Sequence, residues 1–84
     1  MNMMTPKSEI LIQEKQAFKR LILYMEIETN KLKSKVDLAD NREMMAESLN
    51  FMANYLEEVI GKADEIRDLI LENNARLKAP QDRS

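Results

Sequence analysis

The chain has 84 residues, 44% hydrophobic and 33% charged, with one Gly, two Pro, no Cys and no His. That length bounds it to one domain with a small core, and without Cys no disulfide or thiolate metal site can reinforce it. The net charge of −2 and pI near 5.2 lack the basic surplus of a general nucleic-acid binder, and the longest apolar run, Leu21 to Met25, is far short of the roughly 20 residues of a membrane span.

Few Gly and Pro among many Leu, Ile, Met, Glu, Lys and Ala predict an all-helical chain. The start, Met1-Asn2-Met3-Met4, has no basic region ahead of an apolar core, so no secretory signal is expected. Together with the absence of Cys, this makes the cytoplasm the expected location.

The first helix is predicted over about 6–36. Thr5 can cap its free amides, and Pro6 at the first helical position loses no hydrogen bond. Its stripe reads Leu11, Lys15, Phe18, Ile22, Met25, Thr29, Leu32 and Val36, in alternating steps of four and three. Lys31, Lys33 and Lys35 place cations at the negative end of the helix dipole.

A turn is expected at about 37–40. Asp40 and Glu43 have the spacing of a capping box for the next helix. That helix, predicted over about 41–78, carries a longer seam: Met45, Leu49, Met52, Leu56, Val59, Ala63, Ile66, Ile70, Asn73 and Leu77. Gly61 weakens the helix, and a break there with Asp64 as a new cap is the competing reading. The seam keeps its phase through Gly61, on the outer face, which favours one long helix. Ala79-Pro80 ends it, with a loose tail over 79–84.

A connection this short makes the helices antiparallel neighbours. Residues 1–36 carry seven basic and four acidic side chains, and residues 37–84 six basic and eleven acidic, which favours pairing of the halves. A turn near residue 39 would set position 25 opposite position 53. Residues beyond about 72 would then lack a partner in the hairpin. Asn73 on the seam there is either a register selector or a frayed, solvated residue.

Both helices carry more apolar surface than one seam needs. Ile10, Ala17, Leu21 and Tyr24 widen the first stripe, while Ile12, Leu23 and Ile27 project from nearly the opposite side. Met44, Phe51 and Tyr55 widen the second. The candidate protein-interface residues are therefore Leu21, Leu23, Tyr24, Ile27, Met44, Phe51 and Tyr55. The fold expected is an all-α antiparallel two-helix hairpin that completes a four-helix bundle by dimerisation. A docking surface for a different protein is the other use of the same patch, and Met25, Met44, Met45 and Met52 would suit it.

Catalytic chemistry is absent from the pattern. Without His there is no usual general base, and no Glu-x-x-His motif of a di-iron bundle. Asp64 and Asp68 share a helix face, but a solvated acidic face is the ordinary reading of such a pair. No Gly-rich phosphate loop exists, and Lys15, Lys19 and Arg20 lack interleaved aromatics for stacking bases. No catalytic residue, cofactor or metal is expected.

The function expected is a non-enzymatic helical protein-interaction module: an adaptor, chaperone or inhibitor acting through an apolar helix face. A self-assembling structural homo-oligomer without a hetero-partner ranks second, and a nucleic-acid-associated regulatory dimer third. The layout resembles the small two-helix co-chaperones of bacterial type III secretion, and in kind the small phage-encoded inhibitors of host machinery. The likeness is one of architecture and carries no residues.

Overall fold

Three residues turn the chain. The structure, a computed structural model, describes residues 7–78: α1 (Lys7–Leu38), the connection 39–41, and α2 (Arg42–Lys78). The Thr5-Pro6 start, the Ala79-Pro80 stop and the tail lie outside the described residues. Ala39 donates its amide to the Val36 carbonyl at 3.1 Å, closing the end of α1. Asn41 opens α2: its Oδ1 accepts the Met44 amide at 2.8 Å, and its carbonyl accepts the Met45 amide at 3.2 Å.

The cap is thus one residue later than the Asp40–Glu43 spacing predicts. Asn and Asp cap almost equally well, so spacing could not choose between neighbours. Asp40 takes a supporting part, its Oδ1 accepting from Asn41 Nδ2 at 3.1 Å. Glu43 still falls in the first turn, near the positive end of the dipole.

α2 continues unbroken through Gly61, which has no positive φ. Its 37 residues span about 55 Å at 1.5 Å per residue.

The helices form a single layer with a Cα envelope of 66 × 22 × 11 Å. The radius of gyration is 19.5 Å, against roughly 12 Å for a compact domain of this length. Little is enclosed. Leu21, Tyr55 and Val59 are the buried apolar side chains, with Tyr24, Met25, Phe51, Met52 and Ile66 packed against them. None of them is fully buried.

The register differs from the expected one. Tyr24 hydrogen-bonds Glu58, Tyr55 reaches Met25 and Thr29, and Glu14 meets Asn73. Position 25 therefore lies nearer 55–59 than 53, and Asn73 has a partner within the chain. The Cα–Cβ bonds explain part of the shift. Each leans towards its own helix N-terminus, so in an antiparallel pair the meeting side chains lie further along both helices than the backbone turn suggests.

The seams divide. Met52, Val59, Ile66, Ile70, Asn73 and Leu77 are buried or half-buried, but Met45, Leu49, Leu56 and Ala63 are exposed. Near the turn the contact with α1 is made instead by Ser48, Phe51 and Tyr55. On α1 the residues turned inward are Ile10, Glu14, Ala17, Leu21, Tyr24 and Glu28, one place before the predicted stripe; of that stripe Met25 and Leu32 are half-buried, while Leu11, Phe18, Ile22 and Val36 are exposed. A strict four–three alternation repeats every 3.5 residues. On a straight helix it drifts by about 20° per heptad, so four heptads swing a seam from one face to the next.

Candidate protein interface

Stepping one residue along an α-helix turns the side chain by about 100°. Residues that follow the buried ones on α1 and α2 turn to the same side of the hairpin, because the helices are antiparallel. On α1 these are Leu11, Phe18 and Ile22; on α2, Leu49, Leu56 and Ile60, flanked by Met45. All seven are exposed, Phe18 at 55% and Leu49 at 59%. A groove of about 240 Å³ runs between the helices on this side, lined by Phe18, Leu21, Ala63, Ile66, Arg67, Ile70 and Leu71.

Residues that precede the buried ones are mostly polar, Glu47, Asn54, Glu58, Glu65 and Glu72 on α2 and Glu9, Gln13, Gln16 and Arg20 on α1, but they include the exposed Leu23, Ile27 and Leu69. The hairpin therefore has one mainly apolar face and one mainly polar face.

Polar clamps span the closed seam. The Tyr24 hydroxyl donates to Glu58 Oε1, and Lys62 Nζ sits 5.5 Å from the Tyr24 ring centroid. Lys35 Nζ lies 5.1 Å from the Phe51 centroid. The Tyr24 and Tyr55 rings meet at 6.2 Å and 58°. Tyr55 Oη lies 3.3 Å from both the Met25 carbonyl, to which it donates, and Thr29 Oγ1.

At the open end Asn73, buried, donates to Glu14 Oε2 at 2.9 Å and accepts from Arg76 at 2.6 Å. Near the turn Ser48 is buried, its hydroxyl donating to the Met44 carbonyl at 3.1 Å. Ion pairs among the described residues run within helices: Lys31–Glu28, Arg67–Asp64 and Arg67–Asp68. The opposite charge of the two halves is thus not expressed as ion pairs between α1 and α2.

The hydrogen bond to Glu58 pushes the Tyr24 phenol up to about 12, helped by desolvation and by the negative charge of Glu58 and Glu28. A phenol held protonated in this way is a structural donor and not a nucleophile at neutral pH.

Of the seven candidate interface residues, Leu21 and Tyr55 are buried between the helices, and Tyr24 and Phe51 are half-buried against them. Those four build the hairpin's own core and are not surplus to it. Leu23 and Ile27 are exposed on the side of α1 away from α2, and Met44 is exposed beside the turn. The larger open surface belongs to residues that the heptad pattern placed between the helices: Phe18, Ile22, Leu49 and Leu56. The signal that could have found them is the drift of a 3.5-residue repeat on a 3.6-residue helix.

Among the described residues no three His, Asp or Glu converge as metal ligands would, and no helix is long and apolar enough to cross a membrane. The chain matches no known family model, and neither curated proteins nor solved structures show significant similarity to it.

Proposed function

We propose that this chain is a non-enzymatic helical interaction module whose open apolar face is covered by another protein surface, completing a four-helix bundle when that surface is a second hairpin. The observation that carries the reading is the mismatch between core and surface. Among the described residues three apolar side chains are buried. The chain exposes 6908 Å², where a compact chain of its mass exposes roughly 5,200 Å². Leu11, Phe18, Ile22, Leu49, Leu56 and Ile60 are exposed on one side of the hairpin, and an apolar patch of that kind is the usual mark of an interface. Leu23 and Ile27, on the outer side of α1, stay uncovered when that face closes and are the residues left to contact a different protein. Adaptor, chaperone and inhibitor are the kinds of work such a surface performs.

A structural homo-oligomer without another partner is the second reading. It is favoured by the position of the larger apolar set on the face that self-association would cover.

Light scattering on the purified chain, with Ile22→Glu and Leu23→Glu beside it, tests the proposal. The expected result is association of the parent and of Leu23→Glu, and loss of association in Ile22→Glu. Binding of a native partner that survives Ile22→Glu but not Leu23→Glu would separate the module from the homo-oligomer. A parent chain that stays single, melts sharply and binds nothing would overturn both readings.

A further inference from the structure

We infer that the groove between the open ends of α1 and α2 takes an acidic amphipathic helix of another protein, laid along the hairpin as a third helix. The inference rests on the proposed covering of the open face and adds the chemistry of what covers it.

Shape points to a helix. Two adjoining hollows of about 240 and 340 Å³ share Ile70 and Leu71 and together run between the helices from Ala63 to Leu77. Leu11, Phe18 and Leu71 stand exposed along them. Over that stretch α2 rises about 21 Å at 1.5 Å per residue, which is room for about four turns of a docked helix. The apolar stripe of a third helix seats in such a trough between two others, whereas a bilayer surface is flat and leaves it empty.

Charge points to an acidic helix. The charged side chains on this stretch of the open face are basic. Lys7 and Arg67 line the hollows. Lys15 lies one turn beyond Leu11, and Lys78 one turn beyond Asn74, so both fall on the same side. All four are exposed. The nearest carboxylates are already engaged: Glu14 accepts from Asn73, and Asp64 and Asp68 meet Arg67 at 3.3 and 3.1 Å. Those aspartates offset Arg67, so the surplus positive charge rests on Lys7, Lys15 and Lys78, which form no ion pair among the described residues. Glu9, Glu65 and Glu72 of the same stretch lie on the other face. An acidic helix places its apolar stripe in the trough and its flanking carboxylates beside the three lysines. A second copy has no matching row of carboxylates on this face. Towards the turn it carries Lys33 and Arg42, with Glu26 at the outer edge.

Two labelled peptides test the inference by fluorescence anisotropy. Both are about three heptads long with Leu at a and d; one has Glu at e and g, the other Lys. The Glu peptide is expected to bind the parent chain about tenfold more tightly than the Lys peptide. In the double variant Lys7→Glu, Lys15→Glu the preference should reverse. Both sites are exposed, so the hairpin keeps its core, which circular dichroism checks. Leu71→Ser should weaken the Glu peptide by removing apolar contact from the groove. Equal binding of the two peptides, or a preference that survives the charge reversal, would overturn the acidic partner and leave a covered face standing. Binding that ignores Leu71→Ser is charge attraction alone and overturns the groove. Binding of neither peptide overturns the inference. If the chain then dimerises in an Ile22-dependent way, a second copy is the occupant; if it instead sediments with phosphatidylglycerol vesicles, an anionic membrane is. A chain that does none of these and stays single overturns the covered face as well.

Discussion

Tyr24 shows how one side chain serves both sides of the seam. Its ring packs on Tyr55, its hydroxyl donates to Glu58, and Lys62 lies over its face. The phenol is raised to about 12 first by that hydrogen bond, then by desolvation and by the negative charge around it. The raised value belongs to the folded state, so the neutral phenol favours folding. This contribution is complete below the ordinary value of 10.0 and is lost as the pH rises through about 12. Ultraviolet titration of the phenolate should place one of the two tyrosines near 12 in the parent chain and nearer 10.0 in Glu58→Ala. An unchanged curve would remove Glu58 as the cause. Asn73 and Ser48 are the other residues whose role depends on neighbours. Both are polar and buried, and both have hydrogen-bond partners, as burial of a polar group requires. Asn73 on the seam could be read as either a register device or a frayed, solvated residue, and it is buried. Its partner Glu14 was not legible, because it lies 59 positions away in sequence.

At the scale of the helix, local signals and packing part company. The end of α1, the short connection and the continuity of α2 follow from nearby residues. Gly61 tests this directly. Its backbone is helical, it has no positive φ, and an added methyl would meet nothing within 4 Å. Gly61→Ala should therefore raise stability by about 0.5–1 kcal/mol, the helix-propensity difference between the two residues. Urea denaturation measures it, and a loss of stability would mean that the position is covered in the assembled protein. Which face of each helix turns inward was less legible. The four–three seam named Val59, Ile66, Ile70 and Leu77 correctly but left Met45, Leu49 and Leu56 on the open face, because a heptad repeat holds one direction only if the helices supercoil to follow it. Leu49, at 59% exposure, is the seam residue on which the two periodicities disagree most plainly.

For the whole molecule the deciding quantity is enclosed apolar surface. A single layer of two helices encloses three buried apolar side chains and leaves a stripe of Leu, Ile, Met and Phe on one face. Such a hairpin is marginal alone, since short chains bury a small fraction of their surface. If a second copy closes the face, folding and association are linked. The midpoint of thermal unfolding should then rise with protein concentration. Circular dichroism melts over a hundredfold concentration range would show it, and a constant midpoint would mean that the single hairpin is the folding unit.

What the sequence determined by itself is everything carried by neighbouring residues and by composition. The helical class follows from scarce Gly and Pro, the hairpin from two apolar periodicities joined by a polar break, and the single long α2 from a seam that keeps phase through Gly61. The pairing of the helices was decided only by the tertiary structure. A shift of one residue in the inward face leaves the sequence pattern almost as good, since Leu21 and Ile22, or Tyr55 and Leu56, are both apolar neighbours on it. Side-chain volume and the reach of two tyrosine hydroxyls across the seam select between them. That selection turned Phe18, Ile22, Leu49 and Leu56 from core into surface, and it is their exposure that gives the hairpin an open apolar face.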